Sequence, residues 1–425
     1  MALKPQQRSF RYWLQQLHLW IGLILLLPLV MMGVTGAVLV YAHDLEHMLG
    51  QGEPAPKTAG DWRSPGELIE AAKAAAREPG RLPIAVRWPN DVGEPAAVRL
   101  SRPGMAQERP AFRGEQRGPQ AQGGAQGRVP AQSPFAGSLQ VLLDPVSLEL
   151  LETRQTMTGW VRFFHDLHGH IFIAGGLGRE IVGWLGVALL VLGCSGLYLW
   201  WPRAGQWKSA FTVRRTAKGL RLNRELHGAV GIWSLMLFML VNFTGVYLAF
   251  PQQIGAAVNV VWPGRDVRAA TFQARVEPLR GATAISVEEG VALARARVPD
   301  ARFLNAFLPV RPDQAMRIGL IREGHSEGAP VVTVIVDPWR RQVIDVFDPR
   351  TMSAGESILA WQRALHYGQG LGAGYKFLVF VSGVIIPLFA VTGFLMWWIK
   401  RRNRLAGERA RRAILAGKPA GQLVD

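Results

Sequence analysis

Four apolar stretches without a single Asp, Glu, Lys or Arg constrain this chain more than any other feature: residues 19–41, 181–201, 228–250 and 377–399. Crossing the hydrocarbon core of a bilayer, roughly 30 Å, takes about 20 apolar residues, so each stretch predicts a spanning helix. The first run is longer than the roughly 7–15-residue core of a signal peptide and reads as an uncleaved helix. With 49 % of the 425 residues hydrophobic, the chain can bury enough surface to exclude general disorder. Its only cysteine, Cys194, excludes a disulfide framework.

A net charge of +17 first suggests a nucleic-acid partner. The positions of the charges exclude it. The segment before the first span carries Lys4, Arg8 and Arg11; the loop 202–226 carries seven basic residues against Glu225; the tail from Lys400 carries eight against Glu408 and Asp425. Together these segments hold 18 basic and 3 acidic residues, +15 of the total. The positive-inside rule places both termini and the 202–226 loop in the cytoplasm, where the basic residues also meet anionic membrane lipid. Trp13, Trp20, Trp200, Trp201, Trp397 and Trp398 fall near the same ends as interfacial anchors.

The two long connections, expected on the outer side, read as small α+β modules. In each, a Ser-led, acid-capped amphipathic run (64–77; 286–298) precedes short apolar runs and an Asp-Pro turn, Asp144-Pro145 or Asp337-Pro338. Strand-like runs fall at 84–88, 96–100, 139–143 and 148–151 in the first, and at 303–308, 316–321, 331–336 and 343–346 in the second. Residues 102–134, rich in Gly, Gln, Pro and Arg, predict a disordered insertion in the first module.

The spans also repeat. His18 and Gly22 match His227 and Gly231, and Thr35-Gly36 matches Thr244-Gly245, all offset by 209. At an offset of 197, Ser195-Gly196 matches Thr392-Gly393, Trp200-Trp201 matches Trp397-Trp398, and Arg179 matches Lys376. His168 and His366 stand in Leu-His-Gly and Leu-His-Tyr-Gly, one residue out of that register. A duplicated unit of helix, outer module and helix follows, with one histidine near the start of every span. Alternating helix direction then pairs His18 with His227 near the cytoplasm, and His168 with His366 near the outer side. Facing helices of a bundle supply cofactor ligands, and two imidazole pairs are what two stacked bis-histidine haems require. Gly36 lies 18 residues beyond His18, five whole turns; it makes room for a porphyrin or for close helix approach. His43 is a rival ligand on the same face as His18, although its repeat counterpart is Gln252. His165, His168 and His170 could instead form a metal-capture cluster. Arg179 and Lys376 suit haem propionates or the membrane edge equally, and His325 reads as solvated.

These motifs, with Ser-Gly-Leu-Tyr-Leu-Trp-Trp-Pro-Arg203, resemble the PepSY-associated transmembrane family, which includes iron-regulated inner-membrane proteins and ferric-siderophore reductases. The resemblance covers about 14–403 apart from the insertion. It implies b-type haem in the bundle on His18, His227, His168 and His366, where the repeat predicts two haems per chain, and reduction of ferric siderophore in the periplasm of a bacterial inner-membrane protein. Cys194-Ser195 departs from the usual Leu-Thr, but Ser keeps the hydroxyl.

The expected fold is a mainly α membrane protein: a four-helix transmembrane bundle with two periplasmic PepSY-like α+β modules, internally duplicated. Its segments are a cytoplasmic start (1–17), first span (18–42), first module (43–167), juxtamembrane segment and second span (168–201), and basic loop (202–226). The third span (227–250), second module (251–365), juxtamembrane segment and fourth span (366–399) and basic tail (400–425) complete it. No glycine-rich nucleotide fingerprint follows a strand in the short cytoplasmic segments, so the expected electron donor is a separate cytoplasmic reductant or membrane quinol. The rival class is a non-enzymatic membrane protein whose modules regulate a protease or bind metal. Reporter fusions after Arg215 and Arg412 should read cytoplasmic and a fusion at Gly324 external; an external signal at Arg215 contradicts the alternating arrangement.

Overall fold

The computed structural model describes residues 9–76, 78, 80–102, 137–155, 159–173 and 175–415. The expected insertion, Arg102 apart, lies outside the described residues. In chain order the elements begin with α1 (Phe10–Ile24), α2 (Leu26–Val40), α3 (Ala42–Met48), α4 (Pro65–Ala75), β1 (Pro83–Arg87), β2 (Ala96–Leu100), β3 (Leu139–Leu143) and β4 (Leu150–Gln155). Next come α5 (Gly159–His170), α6 (Gly176–Trp200), α7 (Trp207–Ala210), α8 (Gly219–Ala249), α9 (Pro251–Val261), α10 (Val267–Gln273) and α11 (Val287–Arg297). The last are β5 (Arg302–Phe307), β6 (Met316–Ile321), β7 (Val332–Asp337), β8 (Gln342–Phe347), α12 (Ala354–Tyr367) and α13 (Gly372–Leu415). The protein is mainly helical, with one antiparallel sheet, and divides into two compact units.

The helical unit comprises Met1–Ala42, Trp160–Ala257 and Trp361–Asp425. Helices α6, α8 and α13 are each long and apolar enough to cross a membrane, and α1 with α2 makes a fourth span if the bent pair counts as one. Trp184, Trp233, Met236 and Val391 stand exposed on these helices, an apolar surface suited to lipid. The expectation of one continuous helix over 19–41 needs correcting, because α1 and α2 meet at Leu25 with a 67° bend. Pro28 is the cause. It has no N–H to offer the carbonyl of Ile24, and its ring crowds that oxygen. The ladder bonds on either side survive, Leu25 N–H to Ile21 O at 3.0 Å and Leu29 N–H to Leu25 O at 2.9 Å.

Two of the long helices follow a separate shorter one. Between α5 and α6 the chain turns through Ile171 and Phe172, at φ of 46° and 56°, and Gly175 at 81°. Between α12 and α13 it turns through Gly368, Gly370 and Gly372, at φ of 71°, 82° and 81°. His168 and His366 therefore sit near the ends of α5 and α12, not on the helices that continue into the spans.

The second unit comprises His43–Gly159 and Val258–Ala360. Helices α4 and α11 start as read from the sequence. Ser64 caps α4 and Ser286 caps α11, each in a reciprocal capping box with the Glu three residues on, Glu67 or Glu289. Leu68, Ile69 and Ala72 of α4 and Val287 and Ala294 of α11 share one core with Val86, Val98, Val141, Phe303, Ile318 and Val334 of the strands. Instead of two separate modules, the strands form a single eight-stranded sheet in the order β4-β3-β2-β1-β5-β6-β7-β8. Val86 of β1 pairs with Ala306 of β5. Pairing β1 with β5 covers one of the two edges each four-stranded half would expose and leaves β4 and β8 at the ends of the sheet.

The Asp-Pro turns are built alike. Asp144 Oδ1 accepts the N–H groups of Val146 and Ser147, and Asp337 Oδ1 accepts those of Trp339 and Arg340. Four residues past each Asp, Leu148 and Arg341 take left-handed φ of 65° and 55°. That conformation moves the start of β4 from the expected residue 148 to Leu150.

Asp144 also accepts Lys57 N–H and Thr58 N–H through Oδ2, both at 3.0 Å. Burial pushes its carboxyl up, but the four backbone donors outweigh this and lower it from 3.8 to about 2. A folded-state pKa below the unfolded one contributes stability that is complete above pH 3.8 and lost as pH falls through about 2. Asp144→Asn should thus cost up to about 2 kcal/mol near neutrality. It should also flatten the stability loss between pH 4 and 2 (approximate limits), measured by thermal unfolding against pH beside wild type.

Candidate functional site

The helical unit brings together the four histidines that the repeat singles out, in two like pairs. The ring centroids of His18 and His227 are 6.2 Å apart, and so are those of His168 and His366. Their interplanar angles are 73° and 42°.

Every one of the four rings is held at Nδ1 by a hydroxyl from another helix. His18 on α1 meets Ser195 Oγ on α6 at 2.8 Å, and His227 on α8 meets Thr392 Oγ1 on α13 at 2.8 Å. His168 on α5 meets Thr35 Oγ1 on α2 at 2.9 Å, and His366 on α12 meets Thr244 Oγ1 on α8 at 3.1 Å. The hydroxyl protons are already committed to each donor's own helix. Ser195 donates to Val191 O, Thr392 to Leu388 O, Thr35 to Met31 O and Thr244 to Val241 O, at 2.6–2.8 Å. The hydroxyl oxygen can then only accept, so Nδ1 carries the proton and Nε2 keeps its lone pair. The Val241 carbonyl, 3.0 Å from His366 Nδ1, can only accept and enforces the same tautomer. Four imidazoles thus present Nε2 as a neutral ligand atom, oriented from behind in the manner of metal-ligating histidines. The four hydroxyl residues are buried, at most 5 % exposed, whereas the four histidines are half-buried.

The glycine after each hydroxyl residue lies under the imidazole that the hydroxyl holds. A methyl group at Gly36 would stand 2.9 Å from His168 Cε1, and one at Gly245 2.9 Å from His366 Cε1. The corresponding distances are 3.4 Å from Gly196 to His18 Cε1 and 3.8 Å from Gly393 to His227 Cε1. The spacing from His18 to Gly36 therefore has a different meaning from the one expected: the glycine makes room for the imidazole of the other pair. Helix α8 runs unbroken from His227, a member of one pair, to Thr244, which holds a member of the other. At 1.5 Å per residue those two positions are about 26 Å apart.

The remaining sequence candidates fall elsewhere. His43 lies in the other unit, on α3, with its ring 4.6 Å from that of His47. Arg179 is exposed, and Lys376 Nζ sits 4.8 Å from the centre of the Tyr41 ring. His325 is half-buried, less solvated than its loop suggested, and desolvation together with the Arg302 charge lowers its pKa. In the sequence Thr35, Ser195, Thr244 and Thr392 stand out only as matched positions of the repeat. Their matched offsets were visible, but their partner was not.

The glycine distances set a graded expectation. Gly36→Ala and Gly245→Ala should each destabilise the detergent-solubilised protein by about 1–3 kcal/mol, because an overpacked methyl displaces a held ring. Gly393→Ala should be tolerated. Gly407→Ala, with nothing within 4 Å of the added methyl, should stabilise slightly through helix propensity. Thermal melts of the four variants check the order.

The family described as the PepSY-associated TM region matches residues 15–400. An uncharacterized protein of Pseudomonas aeruginosa is 40 % identical over 81 residues, which is 19 % of this chain and 19 % of that protein's length. With nearly the whole chain matched and the spans in place, this protein belongs to the PepSY-associated transmembrane family and is a multi-pass membrane protein.

Proposed function

We propose that the protein is a haem-bearing electron conduit of the bacterial inner membrane that reduces ferric siderophore in the periplasm and so releases Fe(II) for uptake. The observation that carries this reading is the set of four Nε2 atoms left as ligands by four hydroxyl-held Nδ1 atoms. An imidazole nitrogen bonds a transition metal at about 2 Å and lies about 1.1 Å from its ring centre, so two rings on one iron have centroids about 6 Å apart. The 6.2 Å in both pairs fits that requirement. His18 with His227 would hold one b-type haem and His168 with His366 the other.

Haem iron, when bound, supplies one-electron transfer. The chain's own contribution is to fix the ligand tautomer, to keep the imidazoles neutral in a half-buried setting, and to space the two pairs. The roughly 26 Å along α8 compares with a bilayer core of roughly 30 Å, so the pairs serve opposite halves of the membrane. Repeated offsets, capping boxes and Asp-Pro turns favour a duplicated unit assembled as a four-helix bundle. The basic segments favour cytoplasmic termini and an outward sheet unit in the periplasm. With haem bound, the donor would be a cytoplasmic reductant or quinol and the acceptor a periplasmic Fe(III) chelate, which holds the hard ferric ion far better than Fe(II). No acid–base residue is needed.

A pyridine haemochrome assay on purified protein should find two haems b per chain. His227→Ala should remove one and block chelate reduction from inside while the outer haem stays; His366→Ala should do the converse. His43→Ala should remove neither. Wild-type protein without a Soret band would favour the non-enzymatic alternative, and haem loss in His43→Ala but not in His366→Ala would refute the outer pair.

A further inference from the structure

Helix α5 carries three metal-ligating side chains that the paired imidazoles leave unused. His165, Asp166 and His170 each offer one ligand atom, and these atoms all lie within 4.8 Å of one another. His165 Nδ1 is 3.6 Å from Asp166 Oδ1, and the two histidine rings have centroids 5.9 Å apart. Helical phase accounts for two of the three: Asp166 and His170 are one turn apart, with His168 about 160° round the helix from both, while His165 stands between the two faces and joins through its contact with Asp166. His168 therefore turns to Thr35, and Asp166 replaces it in the cluster expected from His165, His168 and His170.

The cluster is held in place from two directions. Arg162, one turn earlier, bonds Asp166 Oδ2 through Nε and leaves Oδ1 facing His165. Just past His170, Ile171 and Phe172 sit in the left-handed region, which costs L-residues energy and persists only where surroundings enforce it. Here Phe172 N–H donates to Asp166 O and Ile171 N–H to Leu167 O, both at 3.2 Å. Gly178 packs on the same helix end, where an added methyl would stand 2.2 Å from His170 O. The ligand side chains remain open to solution: His165 is 38 % and Asp166 27 % exposed.

We propose that His165, Asp166 and His170 bind a divalent transition-metal ion. Two imidazoles and one carboxylate suit Fe(II), Co(II), Ni(II) or Zn(II), whereas Ca(II) and Mg(II) favour all-oxygen sets. Bonds of about 2.1 Å put neighbouring ligand atoms about 3.0–3.4 Å apart. Small side-chain rotations reach that from the observed separations. Three protein ligands leave further positions for water or exchange. The site uses none of the four hydroxyl-held imidazoles and stands or falls separately from the haem reading.

Full-length detergent-purified protein, with whatever iron it retains, should be dialysed against Co(II) and analysed for metal and visible absorption. The expected result is one Co(II) per chain with d–d bands, unaffected by excess Ca(II) or Mg(II). Asp166→Asn and His170→Ala should each weaken it by roughly tenfold or more. A Co(II)-dependent rise in wild-type melting temperature, absent in Asp166→Asn, reads the same site without requiring the alanine variant to fold. Absence of stoichiometric Co(II), displacement by Ca(II), or unchanged binding in a folded variant overturns the proposal.

Discussion

The helical unit depends on one repeated interaction: a buried hydroxyl that gives its proton to its own helix and receives one from an imidazole on another. A neutral hydrogen bond of this kind contributes only about 1 kcal/mol net. Its consequence is geometric. Because Ser195, Thr392, Thr35 and Thr244 are each saturated by a carbonyl of their own helix, they cannot serve as donors to the ring. The chemistry of four histidines is decided by four residues that never face the ligand side. Leaving any of these Nδ1–H groups without an acceptor costs about 1–3 kcal/mol, so the same contacts set helix register.

The hydroxyl and the glycine beside it act as one device. The hydroxyl fixes an imidazole's rotation, and the missing side chain lets the ring approach the backbone. In both pairs the device sits on a different helix from its ring, which ties α1 to α6, α8 to α13, α5 to α2 and α12 to α8. The Pro28 bend and the turns after α5 and α12 lie in the same unit. His168 and His366 reach their hydroxyls from short helices that end before the long ones begin, not from a straight continuation of α6 or α13.

Features set by local chemistry were legible in the residues. Charge-free apolar runs marked the long helices, Ser with Glu three residues on marked the starts of α4 and α11, and Asp-Pro marked the two turns of the sheet. The histidine pairing also followed, since alternating helix direction puts like ends together. Long-range choices were less legible. Nothing in β1 or β5 alone announces that they pair, because an edge strand reads like any other short apolar run. Pro28 was visible inside the first apolar run, yet many membrane helices tolerate proline, so its bend had to be seen. The 18-residue spacing from His18 to Gly36 presumes one straight helix, but the bend at Leu25 separates the two positions, and Gly36 serves His168 and not a neighbour of His18. Asp166 carries no repeat signal, since the residue two before His366 is Ala364.

If four lone pairs at Nε2 are what the hydroxyls exist to present, iron should be found there in the low-spin state that two imidazoles impose. Electron paramagnetic resonance of the oxidised, purified protein, integrated against protein concentration, tests this most directly. The account predicts low-spin ferric signals summing to two per chain. Iron-free protein, or a signal confined to high-spin ferric haem, contradicts it.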